Sequence, residues 1–243
     1  MKITLPSKIA RLFGYELVKL RRMPYRDINV HLLGLFRLLD INCVLDVGAN
    51  MGQYATGLRR AGYDGHILSF EPLRECYDAL MRQQDERWHV FNYALGSADQ
   101  TLDIYITRKN VFSSFLQPNQ YASERFRESS RVAGTEQVTV KKLDSVFNGI
   151  APVSDPRVFP KLDTQGYDLE VLKGARQVMP LILGLQSELS CKAIYSGMPT
   201  HIESLNVIEA LGYEITDIYP LSHDKHEMSL LEFDCIFRKK REI

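Results

Sequence analysis

Four carboxylates stand where apolar, strand-like runs of this chain end: Asp46, Glu71, Asp163 and Glu188. In an open α/β sheet that edge is where ligands collect. A carboxylate there can accept hydrogen bonds from hydroxyl groups, remove a proton as a general base, or share a divalent cation with a second carboxylate. Asp46 is followed by Gly48, Ala49, Asn50, Gly52, Gln53 and Tyr54, a turn with little side-chain bulk that leads into a helical pattern. Backbone can approach a ligand closely in such a turn, at the N-terminus of the next helix. The glycines are spaced G-x-x-x-G, not the G-x-G-x-x-G of a dinucleotide site. An acid at Asp46 would repel a pyrophosphate but suits a ligand that carries an amine or hydroxyls. Glu71 closes the next strand-like run, one βαβ unit on, where an acid can accept hydrogen bonds from both hydroxyls of a ribose. Pro72 then opens the following helix, since its missing N–H would go unused there. The stretch His223-Asp224-Lys225-His226-Glu227 places two histidines near each other, but in a predicted loop with no third ligand, and reads as a solvated polar turn.

Strands and helices must hold these side chains. Val44, Leu45 and Val47 predict a strand at 43–47 buried on both faces, followed by a helix at 52–61, a strand at 66–70, a helix at 73–84 and a strand at 88–92. Leu102, Ile104 and Ile106 alternate with polar residues over 101–107, as in a half-buried strand outside the main sheet. A short strand at 138–140 and a short helix at 143–147 come next. A fourth main-sheet strand at 157–162 ends at Asp163, and a fifth at 181–186 ends near Glu188. A helix at 201–211 and two strands at 213–219 and 230–238 complete the chain, the last pair suiting an antiparallel hairpin. Upstream, residues 7–22 put Ile9, Leu12, Phe13, Leu17 and Leu20 on one helix face beside several basic residues. That helix is expected to pack on the domain or on a second subunit of an oligomer, with peripheral membrane contact as the sharper alternative. A leucine-rich helix at 28–39 should cover the sheet. Residues 108–136 mix arginines with Phe112, Phe115, Tyr121 and Phe126, and form either a lid or acceptor loop or a plain insertion. The expected organisation is a helical extension at 1–40 and one domain at 41–243.

The run Val44-Leu45-Asp46-Val47-Gly48-Ala49-Asn50-x-Gly52-x-Tyr54, followed by Phe70-Glu71-Pro72, resembles the FkbM-type methyltransferases, which use S-adenosylmethionine. Asn92-x-Ala94-Leu95-Gly96, Ser113-Ser114, Lys142-Leu143-Asp144, Lys161-Leu162-Asp163-x-x-Gly166, Val171-Leu172-Lys173-Gly174-Ala175 and Glu188-Leu189 extend the resemblance in order, over roughly residues 42 to 190. It implies a Rossmann-like class I methyltransferase fold, α/β, with a seven-stranded, mostly parallel sheet in the order 3-2-1-4-5-7-6. It also implies O-methylation, often of a hydroxyl on a sugar or another natural product. Under it, the Gly48–Tyr54 turn, Asp46, Glu71 and Pro72 are cofactor-binding, the adenine lies against Tyr93 or Ala94 and Leu95, with a plain core position as the equal alternative for Tyr93, and Ser113-Ser114 offers a contact near the transferred methyl group through Ser114. Asp163 and Glu188 then remain on the acceptor side. Either could deprotonate the acceptor hydroxyl, or the two could hold magnesium or manganese; the structural alternative is that Asp163 caps the next helix and Glu188 makes a local hydrogen bond.

Size and composition agree with one well-cored soluble domain: 243 residues, 45% hydrophobic and 25% charged. Thirty basic and thirty acidic residues cancel, which argues against a general nucleic-acid binder; a small-molecule or carbohydrate acceptor is what the resemblance implies. Cys43, Cys76, Cys191 and Cys235 are scattered, as in reduced core positions of a cytoplasmic protein. No run is apolar enough for a transmembrane segment. Two further classes stay open: an NAD-dependent oxidoreductase or epimerase, disfavoured by the glycine spacing and by Asp46, and a non-catalytic methyltransferase-like binding protein.

Overall fold

The computed structural model describes residues 5–17, 27–108, 110–224 and 227–241. Its centre is β1 (Cys43–Val47), buried along its whole length as the apolar run required. Parallel partners flank it on both sides, β2 (His66–Phe70) and β7 (Val158–Leu162). With β3 (Trp88–Phe91), β8 (Gly184–Ser190), β9 (Tyr213–Asp224) and β10 (Ser229–Lys239), they form a seven-stranded sheet in the order β3-β2-β1-β7-β8-β10-β9. Only β10 runs antiparallel to its neighbours. Numbered through the whole chain, this order differs from the expected one, because strands of a second sheet are interposed; counted within the main sheet alone, it reads 3-2-1-4-5-7-6. Pro160 sits in a central strand, where a missing N–H is ordinarily excluded. It is tolerated because continuous pairing of β7 with β8 begins one residue later, at Lys161 opposite Gln186.

Each face of the sheet has its own core. On one, α2 (Ile28–Leu39) and α3 (Gln53–Ala61) bury Leu32, Phe36, Ala55 and Leu58 against Val44, Ile67, Phe159 and Ile236. On the other, α6 (Leu143–Ile150), α7 (Asp168–Lys173) and α8 (His201–Ala210) cover Leu45, Val47, Phe70 and Leu185. The helix α2 starts at Asp27, whose side chain accepts from the Asn29 N–H, and stops at Asp40 in the left-handed region. By contrast, the helix α1 (Leu5–Leu12) buries no residue, and Leu12 is 84% exposed. It is shorter than the expected 7–22, and residues 18–26 lie outside those described.

The segment 108–136 is more regular than the sequence suggests. It contains α5 (Gln120–Phe126), two 3-10 turns and the first half of β6 (Val132–Lys141). With β4 (Ala94–Leu95) and β5 (Gln100–Thr107), β6 makes a three-stranded second sheet in the order β4-β6-β5. The 101–107 alternation is therefore a strand outside the main sheet, as expected, whereas the short strand expected at 138–140 is the end of a longer one. Ala122, Ile194 and Tyr195 form a small core under this insertion, and Arg125 pairs with the buried Asp224 carboxylate at 2.9 Å. His223 and Asp224 thus belong to a strand, not to the predicted polar loop; Lys225 and His226 are outside the described residues.

Candidate active site

The carboxyl ends of β1, β2, β7 and β8 open into a cavity of about 470 Å³. Of the residues singled out by sequence, Gly48, Ala49, Asn50, Gln53, Tyr54, Glu71, Pro72, Ala94, Ser114, Asp163 and Glu188 line it. The turn after β1 is shaped by three positive-φ residues, Gly48 (76°), Asn50 (47°) and Gly52 (81°). At Gly48, a Cβ would stand 2.0 Å from the Asp163 carbonyl oxygen; at Gly52, it would stand 2.7 Å from the Leu80 side chain. Both glycines therefore serve tight packing inside the protein as well as turn geometry, and Gly48 brings the turn against the chain that carries Asp163.

Glu71 is 4% exposed and already holds the turn: Oε2 accepts from the Asn50 N–H at 2.7 Å, and Oε1 from the Leu73 N–H at 2.8 Å. Burial pushes its carboxyl up to about 7, against those two hydrogen bonds. Asp46 lies beneath the cavity, not among its lining residues. It is fully buried, with Oδ2 accepting from Ser69 at 3.3 Å and Oδ1 3.8 Å from the Lys161 ammonium. Tyr93 is not a lining residue either. It packs in a group of rings with Phe70 and Phe91, at 5.6 and 5.7 Å, while Ala94 and Leu95 reach the cavity. Ser114 donates to the Gln165 carbonyl at 2.8 Å and accepts from the Leu116 N–H, pinning the insertion to the turn after β7.

Asp163 and Glu188 are brought together by one side chain. The Gln165 amide donates to Asp163 Oδ1 at 3.0 Å and stands 3.2 Å from Glu188 Oε1, and its own oxygen lies 2.8 Å from the Tyr195 hydroxyl. Lys161 donates to Asp163 Oδ2 at 2.9 Å. Burial pulls the Lys161 ammonium down, but the Asp163 and Asp46 carboxylates outweigh it and raise its pKa. Glu188 lies within β8 near its end, and its carboxyl is raised well above the usual range, first by burial and then by the charges of Asp163, Glu232 and Asp234. The helix-cap alternative for Asp163 is not what is found: α7 has no side-chain cap, and it is Asp168 that accepts from the Thr164 N–H at 3.0 Å.

A divalent cation does not fit this donor set. The cation beside Asp163 is the protein's own Lys161, and the remaining oxygen takes the Gln165 amide. Among the described residues, no group of three or more His, Cys, Asp or Glu side chains is placed to hold a metal ion. Lys161 was quoted only as part of a motif, and Gln165, Gln186, Tyr195, Glu232 and Asp234 were not singled out by the sequence. A lysine in an otherwise apolar central strand was the available signal for the first of them.

A mostly parallel sheet in this order, with a glycine turn after β1 and a buried acid closing β2, defines a Rossmann-like methyltransferase fold of the α/β class. The chain belongs to the FkbM methyltransferase family: the model of the methyltransferase FkbM domain matches residues 46–215. Methyltransferase sdnD of Sordaria araneosa is 26% identical over 258 residues, covering 96% of this chain and 95% of that protein. Two solved structures with similar outlines are a SAM-dependent methyltransferase from Aquifex aeolicus (14% identity, TM-score 0.44, covering 98% of this chain and 100% of that one) and a precorrin-6y C5,15-methyltransferase from Geobacter metallireducens (12% identity, TM-score 0.44, covering 88% of each). Among the described residues, no helix is long and apolar enough to cross a membrane.

Proposed function

We propose that this methyltransferase uses S-adenosylmethionine to methylate a hydroxyl oxygen of a small-molecule or carbohydrate acceptor. The observation that carries the reading is the Gln165 bridge, which sets Asp163 and Glu188 side by side at the cavity edge beyond the cofactor turn. The cavity is within the range of small-molecule sites, about 300–1,000 Å³. In this reading, Glu71 and the backbone of the Gly48–Tyr54 turn hold the ribose, and Ala94 and Leu95 take the adenine. The cofactor, when bound, supplies an electrophilic methyl group on a sulfonium.

Glu188 is the general base in this reading. It takes the proton of the acceptor hydroxyl as the oxygen forms its bond to carbon, and its raised pKa brings its basicity closer to that of the group it deprotonates. Among the described residues, no donor reaches its second oxygen, which leaves that atom for the acceptor. Asp163, held by Lys161 and Gln165, is a positioning residue. Two expected results test the cofactor half. Glu71→Ala should weaken S-adenosylmethionine binding by roughly 2–3 kcal/mol in calorimetry, since charge-assisted hydrogen bonds are the stronger ones. Affinity in the wild type should also fall as pH drops through about 7, where Glu71 takes up its proton. Glu71→Gln should flatten that dependence, and a wild-type affinity that ignores pH would place the ribose elsewhere.

The same shift has a stability consequence. A carboxyl raised in the folded state favours folding when protonated, so its contribution is present below about 4.5 and is lost as pH rises through about 7. The ligand-free protein should accordingly lose stability over that window in urea titrations, and Glu71→Gln should reduce the loss.

A further inference from the structure

The helix α1 stands apart from both cores. It stops at Gly14, whose φ of 78° lets the Tyr15 N–H reach back to the Ala10 carbonyl at 2.9 Å. Leu5, Ile9, Leu12 and Phe13 recur at the spacing of one helix face. All four are exposed, Leu5 by 70% and Phe13 by 75%, and so are Tyr15 and Leu17 beyond the cap. Lys8 falls at the edge of this stripe, and Arg11 lies on the polar side, 4.0 Å from Glu16 at the surface. A helix of eight residues is marginal in water by itself, and helices in proteins are held mainly by burying an apolar face. Because α1 buries no residue, its stripe calls for a surface to lie on.

Charge says which surface. Residues 1–26 contain seven lysines and arginines and one acid, Glu16, whereas residues 27–243 contain 23 basic and 29 acidic residues. The acid excess of the domain does not make a dock for the helix of another copy: Asp46, Glu71, Asp168, Asp224 and Asp234 are buried with Lys161, which leaves the domain's surface close to neutral. Two such helices laid face to face would bring like charges together. An RNA would take up the charge but leave the apolar stripe in water. An anionic bilayer takes both, the stripe at its acyl boundary and the basic side chains among its headgroups.

We propose that α1 and the basic stretch that follows it dock this enzyme onto an anionic lipid surface, with Leu5, Ile9, Leu12 and Phe13 entering the boundary between headgroups and acyl chains and Lys8 reaching the headgroups from the edge of the stripe. The helix lies in the interface and does not span it: eight residues make about 12 Å of helix, against a hydrocarbon core of about 30 Å. So short a stripe anchors only with the help of charge, and each basic side chain close to an anionic leaflet strengthens binding by about fivefold. Attachment is therefore reversible and sensitive to salt. None of these residues lines the cavity, so docking and methyl transfer are separate properties of the chain.

The test sediments the 243-residue chain with vesicles of equal parts phosphatidylserine and phosphatidylcholine, and with vesicles of phosphatidylcholine alone. Binding to the anionic vesicles should be at least tenfold tighter, and should weaken as salt shortens the Debye length. Leu12→Ser combined with Phe13→Ser, and Lys8→Glu combined with Arg11→Glu, should each reduce it at least tenfold. Both variants should keep the wild-type urea midpoint and S-adenosylmethionine affinity, because α1 contributes nothing to the cores. Ile202→Ser removes an apolar side chain that is 60% exposed on α8, and should leave vesicle binding unchanged. Absence of binding to anionic vesicles, equal binding to the two vesicle types, or an equal loss in Ile202→Ser overturns the proposal. So does a dimer in sedimentation velocity that the Leu12→Ser, Phe13→Ser variant dissociates, without vesicle binding, which would assign the face to a second copy. Retention of polyuridylate without vesicle binding overturns it as well, in favour of RNA.

Discussion

Glu188→Gln is expected to lower the rate of methyl transfer by a factor of roughly 10² or more, the scale of a lost general base. Glutamine keeps the shape and can still receive the Gln165 contact through its oxygen, so S-adenosylmethionine affinity should not change. In the wild type, the acid limb of the pH–rate profile should lie above the ordinary carboxylate range, because burial and the neighbouring acids raise Glu188. Asp163→Asn separates base from neighbour. Removing the Asp163 charge removes one of the causes that raise Glu188, so the acid limb should move to lower pH, while in Glu188→Gln it should disappear. A Glu188→Gln enzyme that turns over at the wild-type rate, with the acid limb intact, would eliminate Glu188 as the base.

Gly48→Ala should cost about 3 kcal/mol or more of folding stability, the sum of a left-handed backbone penalty and an overpacked contact. The new methyl would meet the Asp163 carbonyl oxygen at 2.0 Å and its carbon at 3.0 Å. Both are backbone atoms of the residue that follows β7, and neither can swing aside as a side chain could. Gly62→Ala is the control. Its φ of 102° is also positive, yet nothing lies within 4 Å of the added Cβ, so it should cost only the backbone share. Equal losses by urea denaturation in the two variants would mean that the Gly48 contact relaxes freely.

The strand–turn–helix around Asp46 and the strand closing at Glu71 were legible because their signals are local: an apolar run, two glycines, and an acid next to a proline. The main-sheet strands followed for the same reason, with ends misplaced by a few residues at β8 and β9. What stayed hidden depends on register between distant segments. Ser69, Asp46, Lys161 and Gln186 form a row because β2, β1, β7 and β8 pair residue against residue, and a strand's neighbours cannot be read from its own periodicity. The pairing of Asp234 with Glu188 is hidden in the same way. In the insertion, α5 is only seven residues long, and the first half of β6 is mostly exposed. Neither carries the amphipathic rhythm that marks longer elements.

The insertion also sets the size of what can enter. Asn110 to Phe115 line the cavity, Tyr195 ties the Phe112 carbonyl at 3.0 Å, and the Arg125–Asp224 pair fastens α5 to the edge strand of the sheet. A space of about 470 Å³ under that roof has to contain a nucleoside and the reacting part of the acceptor together. On the proposed reading, the segment 110–115 is therefore a wall shared with the acceptor, and the bulk of its side chains sets how large a reacting group the enzyme can take.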